Sequence, residues 1–351
     1  MKKFLSVLLI VALLFSMAAC AGAGAKNDKF VGISMPTQDL QRWNQDGANM
    51  KEKFEAAGFK VDLQYANNEV ATQVSQIENM ISAGVKVLVI AAIDGKTLTQ
   101  VLGTAKEAGI SVIAYDRLIM DTDAVNYYCT FDNYMVGTIQ GTYIKDQLKL
   151  DEGGSYNIEI TAGDPADNNA LYFYQGAIDV LQPYIDSGVL TVVSGQTKFE
   201  EVATPAWSTE TSQARMEAIL ASFYADGTQL DACLCSNDST AKGVTNALAS
   251  SYTGKYPIVT GQDCDIVNTK DIIAGKQSMS IFKDTRTLAA QTVTMVSDIL
   301  AGKTPETNDT KSYDNGTGII PTFLCAPVFA DINNYEELLI ESGYYTADQL
   351  K

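Results

Sequence analysis

Histidine is missing from all 351 residues. Its absence excludes Ser-His-Asp and Cys-His nucleophilic machinery, imidazole metal ligation and the H-E-x-x-H zinc motif. Positive charge is scarce too: 25 Lys and Arg stand against 42 Asp and Glu, a formal net charge of −17. So acidic a chain makes a poor partner for nucleic acid, whose phosphates need a basic face. GxGxxG follows no predicted strand, GxSxG is absent, and Thr253-Gly254-Lys255-Tyr256 lacks both the first glycine and the Ser/Thr of a phosphate loop. Beyond Lys29 no apolar run is long enough to cross a bilayer. No Gly/Ser/Pro-rich linker divides the chain, although its length suggests two domains at about 100–200 residues each.

What is present begins with an address. Met1-Lys2-Lys3 leads into the apolar run Phe4–Ala19, shorter than the about 20 residues of a membrane span and suited to a secretory signal. The run closes on Met17-Ala18-Ala19-Cys20, which resembles the lipobox of bacterial lipoproteins; the resemblance implies that Cys20 becomes the acylated first residue. A plain signal peptide cut near Ala19 or Ala21, or an uncleaved anchor, is the alternative. Residues 21–29 read as a short tether. Without residues 1–20 the chain keeps 23 basic residues against 42 acidic ones, a charge of −19. That charge repels anionic lipid and leaves the lipid on Cys20 to hold the protein at the outer face of the cytoplasmic membrane.

Five further cysteines, Cys129, Cys233, Cys235, Cys264 and Cys325, are an odd number, which argues against a complete disulfide framework. Cys233 and Cys235 share a strand face about 7 Å apart, at the limit of disulfide reach. No CxxC pair supports a metal site, and the five read as small buried hydrophobes.

From Lys29 onward the pattern alternates strand and helix. Apolar runs at 30–35, 61–65, 85–92 and 111–115 are separated by helical stripes such as Val70, Val74, Ile77 and Ile81, which Gly84 closes. Strands at 156–161, 190–193, 231–235 and 257–260 alternate with helices near 168–184, 209–225 and 239–251. A strand at 278–282, a helix at 285–300 and two short strands around 318–330 complete the chain. Such alternation predicts an α/β fold of parallel sheets covered by helices. A weak repeat, strand-Asp-helix-strand-Asp, relates Val87–Asp116 to Asp231–Asp263 and suggests two similar lobes. Its acids fall at the carboxyl ends of strands, where open α/β sheets bind ligands.

Polar and aromatic residues gather just past those ends: Arg42 and Trp43, Asp116 and Arg117, Asp167 and Asn169, Trp207, Asn237, Asp263 and Lys283. Taken singly, the Asp and Asn residues suit helix caps and Lys283 a solvated charge; Asp94, Asp238 and Asp284 are read as caps or turns. The run Asp164–Asn169 lacks the spacing and the closing Glu of a calcium loop. Together the strand-end residues have a chemical sense. Carboxylates, amides and cations offer acceptors and donors to vicinal hydroxyls, and two indoles cover the faces of a flat, partly apolar ring. A pyranose sugar fits that description.

At these residues the chain resembles the periplasmic sugar-binding proteins of ABC importers, in particular the multiple-monosaccharide (ChvE-like) and xylose-binding group. The resemblance runs over about residues 30–351 and rests on Gln41-Arg42-Trp43, Ser75–Met80, Ala114–Leu118, Asp167–Ala170, Gly261-Gln262-Asp263, Ile281–Arg286 and Gly343-Tyr344-Tyr345. It implies a type I periplasmic binding protein fold: two Rossmann-like lobes joined by three crossovers, with the sugar between them. Crossovers are expected near 130, 283 and 312, giving one lobe of 30–130 plus 284–311 and another of 131–283 plus 312–351. It also assigns ligand contacts to the same ten strand-end residues. The implied function is capture of an aldopentose or aldohexose by a monomeric receptor, without cofactor or metal, for delivery to ABC permease subunits. A sensor kinase or chemoreceptor is a further partner of such proteins. The alternative is a sugar-converting enzyme, an epimerase or hydrolase using Asp116 or Asp263 as acid and base. With no histidine to titrate and the carboxylates beside Arg and Lys, binding is expected to be nearly flat from about pH 5.5 to 8.

Overall fold

Apolar runs supply most of the inner strands, as burial on both sheet faces requires. In the computed structural model, which describes residues 29–351, the first half runs β1 (Phe30–Met35), α1 (Gln41–Ala56), β2 (Lys60–Tyr65), α2 (Val70–Ala83), β3 (Val87–Ile90), α3 (Thr99–Glu107), β4 (Ser111–Tyr115) and β5 (Tyr127–Phe131). It continues through α4 (Asn133–Leu148), β6 (Tyr156–Thr161), α5 (Asn168–Asp186), β7 (Leu190–Val192), α6 (Phe199–Val202) and α7 (Thr209–Phe223). Then come β8 (Ala232–Cys235), α8 (Asp238–Ser251), β9 (Ile258–Val259), α9 (Ile266–Ile273), β10 (Met279–Phe282), α10 (Thr285–Leu300), β11 (Thr322–Cys325), β12 (Val328–Asp331) and a π-helical turn at Glu336–Glu341. The expected signal peptide, Cys20 and the tether up to residue 28 lie outside the described residues.

Two parallel sheets result, in the orders β11-β5-β4-β3-β1-β2 and β7-β6-β8-β9. In β3, Leu88 and Ile90 pack against Ile77, Met80 and Leu102, while Val87 and Val89 pack against Ile33, Met50 and Phe54 on the other face. The second sheet is likewise covered on both faces. All five cysteines from Cys129 to Cys325 are buried and unpaired, as their spacing suggests.

The sequence expectation needs correction in three places. The alternation implies parallel pairing throughout, yet β12 runs antiparallel to β10, which meets the second sheet through a bridge between Gln262 and Ile281. The third crossover is not near 312. Residues 301–321 stay on the first sheet's side, where the Asn315 amide donates to the carbonyls of Ile119 and Thr122 at 3.1 and 2.8 Å, and β11 then pairs with β5. The chain therefore changes sheets at Asp132, at Lys283–Asp284 and at Ala326–Pro327. Finally, β5, α4 and α9 form where no strand or helix is expected above.

Candidate functional site

The turns after the strands carry the polar residues, and several of these turns are strained. Asp116, directly after β4, has φ of +60°, and Asp263, after β9, has φ of +98°, where side chains other than glycine are uncommon. The Asp116 carbonyl is held by three donors: Tyr128 Oη at 2.5 Å, Asn169 Nδ2 at 2.6 Å and Thr130 Oγ1 at 2.9 Å. Trp207 closes a 3-10 turn, also at φ of +55°, and its ring lies against Gly163, where a Cβ would come within 1.9 Å of it.

Nine of the ten strand-end residues line one cavity of about 410 Å³, its mouth included: Arg42, Trp43, Asp116, Arg117, Asp167, Trp207, Asn237, Asp263 and Lys283. Asn169 stands behind it, tying Asp116 to Tyr128. The wall also holds Leu40, Ser239, Gln262 and Asp265. The last two flank Asp263 in the loop after β9, so their position past a strand end is the signal that would have found them.

Arg42, in the first turn of α1, spreads its guanidinium over three carboxylates: Nε is 3.1 Å from Asp46, Nη1 is 3.2 Å from Asp263, and Nη2 contacts Asp116. Lys283 Nζ lies 3.1 Å from the same Asp263 oxygen. Arg117 donates through Nη1 to the carbonyls of Ala92 and Ile93, and its Nε sits 3.1 Å from Asp167 without the alignment of a hydrogen bond. Arg42 and Arg117 both flank the Trp43 indole, at 5.3 and 5.0 Å from the ring centre, within cation–π range.

Burial alone would raise the Asp116 carboxyl; Arg42, Lys283 and Arg117 together outweigh it and hold the group below the usual carboxylate range. At Asp167 burial prevails over Arg117 and the carboxyl is raised. Burial likewise pushes Asp46 up to about 6, despite Arg42 and a hydrogen bond from Tyr115, and Asp265 up to about 7. Arg and Lys therefore outweigh burial at Asp116, as expected, whereas at Asp167 burial works against the ionised form.

The cap readings divide. Asp284 accepts from Arg286 N at 2.9 Å and Asp94 from Lys96 N at 2.8 Å. Asp167 and Asn237 are both caps and wall residues, accepting from Asn169 N and Thr240 N at 3.0 Å. Asp238 is not a cap. The helix starts one residue earlier than expected, and the Asp238 carboxylate instead accepts from Asp265 N, Gln277 Nε2 and Ser280 Oγ, each at 2.8 Å.

Four buried polar atoms in the wall lack a partner within the protein: Arg117 Nε, Trp207 Nε1, Gln262 Oε1 and Asp265 Oδ1. Two donors and two acceptors, set between paired charges and two indoles, suit a small neutral polyol. Among the described residues no cluster of Cys, Asp and Glu is arranged to hold a metal ion.

The sequence pattern of the periplasmic binding protein domain family matches residues 31–304. The chain is 49% identical over 356 aligned residues to the multiple sugar-binding periplasmic receptor ChvE of Rhizobium radiobacter, covering 100% of both. It is 36% identical over 328 residues to the D-xylose-binding periplasmic protein of Escherichia coli K12, covering 93% of this chain and 94% of that protein. A crystal structure of an ABC transporter solute binding protein from Clostridium phytofermentans, with bound β-D-glucose, is 68% identical with a TM-score of 0.91. It covers 92% of this chain and 100% of that one.

Proposed function

This chain belongs to the periplasmic binding protein domain family, and on that premise we propose that it is an exported receptor that captures a monosaccharide between two lobes and delivers it to an ABC importer. The observation that carries this reading is the cavity itself, where charges from both sheets converge and four buried polar atoms await partners. The relatives are named for sugars, one of them holding β-D-glucose. They are binding receptors and not enzymes, and Asp116 and Asp263, each tied to cations, are suited to hydrogen bonding rather than proton transfer.

In this proposal Arg42, Trp43, Asp116, Arg117, Asp167, Trp207, Asn237, Asp263 and Lys283 contact the sugar and Asn169 positions Asp116. The lobes comprise residues 30–131 with 285–325, and 133–283 with 328–351. Micromolar capture amounts to about −8 kcal/mol, within reach of a few buried hydrogen bonds and two indoles after desolvation. A thermal-shift panel of aldopentoses and aldohexoses tests the reading. A ligand at 100 times its Kd adds about 2.7 kcal/mol of stability and a clear rise in Tm; a panel in which no aldose moves Tm contradicts it. The anchor is proposed to be a lipid on Cys20, and Cys20→Ala is expected to shift the protein from the membrane to the soluble fraction with sugar binding intact. Retention of the variant on the membrane would exclude the lipid.

A further inference from the structure

The carboxylates around the cavity differ in what already satisfies them. Asp116 is taken by Arg42, Asp263 by Arg42 and Lys283, and Asp167 by Arg117 and the backbone of Asn169. Among the described residues Asp265 forms no ion pair with Lys or Arg, and its Oδ1 is buried without a hydrogen-bond donor. Gln262, 2% exposed, presents a second such acceptor. Its amide orientation is fixed because Nε2 donates to the Ser236 carbonyl at 3.1 Å, which turns Oε1 away from that bond.

Neither acceptor hangs on a loose loop. Asp238 N donates to the Gln262 carbonyl at 2.9 Å, and Asp265 N donates to the Asp238 carboxylate at 2.8 Å. Thr269 N donates to the Asp265 carbonyl at 2.7 Å, opening α9. From α4, Gln140 Nε2 donates to the carbonyls of Gly261 and Cys235 at 2.9 and 3.1 Å, tying the ends of β9 and β8 together. The loop after β9 is thus a rigid wall with two acceptors and no donor of its own to satisfy them.

We propose that Gln262 and Asp265 are ligand contacts that select for a hydroxyl donated into the wall after β9. The inference rests on the sugar-binding role proposed above and names two specificity residues for it. A neutral monosaccharide brings donors only as hydroxyls, each with one proton to give, so an analogue lacking a hydroxyl that meets this wall leaves the acceptor it served buried and unpaired. Selection then falls on the presence of one hydroxyl and not on ligand size. The charged groups facing Asp265 are Asp263 of its own loop, Arg42 of α1, Lys283 after β10 and Asp238 of α8.

The test is calorimetric titration of the full-length protein with D-glucose, D-galactose and D-xylose, followed by the monodeoxy series of whichever binds tightest. One monodeoxy analogue is expected to bind wild type at least about 100-fold more weakly than its parent, as a hydrogen-bonding site demands. Whichever of Gln262→Met and Asp265→Leu removes the acceptor that this hydroxyl meets is expected to shrink that penalty to within about fivefold, and Asp265→Asn, which keeps an acceptor oxygen, is expected to retain it. Equal penalties for every analogue in wild type and both apolar variants would overturn the inference while leaving the receptor reading intact. A wild type that discriminates against no monodeoxy analogue overturns it without any variant. A wild type that binds none of these three, nor any other aldopentose or aldohexose, overturns the receptor reading, and this inference with it.

Discussion

Asp116 shows what the sequence reveals of the site and what it withholds. A polar or aromatic residue just past an apolar run marks a strand end, and that signal places nine of the ten strand-end residues on the cavity wall. Asn169 follows the same signal but sits behind the wall, because its amide braces the left-handed turn at Asp116, a contact between lobes that no local pattern encodes. Asp265 lies two residues beyond the more conspicuous Asp263, and its properties replace the flat pH dependence expected from the sequence with a slope. Its carboxyl is pushed up to about 7, chiefly by burial and by Asp263. A ligand hydroxyl donating to Oδ1 favours the ionised form, so binding below pH 7 must expel a proton. The Kd is therefore expected to fall from pH 6 to pH 8 by up to about tenfold and then level off. Asp265→Asn should abolish that slope, and a wild-type Kd constant across the range would contradict this role. Stability takes the opposite sign. A carboxyl raised from its unfolded value of about 3.9 binds more protons in the native state, so its contribution is fully present below about pH 4 and is lost as pH rises through 7.

Strands and helices were legible where burial writes a pattern. The inner strands β1, β4 and β6 coincide with their apolar runs, and α10 with its stripe. Helix α4 carries no such stripe because glycines join it to α5. A Cβ on Gly137 would lie 2.0 Å from the Phe173 carbonyl oxygen, and one on Gly176 2.1 Å from that of Tyr134. β11 and β12 are four residues each, separated by Ala326-Pro327, and their different sheets are set by distant partners, β5 and β10. Two glycine substitutions separate packing from binding. Gly137→Ala forces α4 from α5 and is expected to cost about 1–3 kcal/mol of stability with sugar affinity unchanged. Gly163→Ala displaces the Trp207 indole and is expected to weaken sugar binding about 10- to 100-fold, as Trp207→Ala would, since a stacked ring contributes about 1–3 kcal/mol with its desolvation. Unfolding midpoints and titrations of both variants check this; a Gly163→Ala protein of wild-type affinity would remove Trp207 from the site.

Across the whole molecule the two sheets are drawn together by bonds that only the complete chain supplies. Tyr345, six residues from the C-terminus, accepts from Gln41 Nε2 of α1 at 2.7 Å and donates to the Cys264 carbonyl beside Asp263 at 2.9 Å. Gln41 Oε1 in turn accepts from Ile266 N at 3.2 Å, and Gly95 N donates to the Ala166 carbonyl at 3.3 Å on the other side of the cleft. Parallel sheets covered by helices were evident from alternation, but the change of sheets at Ala326–Pro327 depends on pairing across nearly 200 residues of sequence, between β11 and β5. The central claim is that this closed pair of lobes holds one monosaccharide and returns it unaltered. Calorimetric titration of the purified protein with the aldose that most raises its Tm, followed by chromatography of the sugar after long incubation, tests it most directly. One site per chain with a Kd near or below about 1 μM, some −8 kcal/mol, and sugar recovered unchanged is the expected result. A Kd above about 1 mM for every aldopentose and aldohexose, or recovery of an altered sugar, would contradict it.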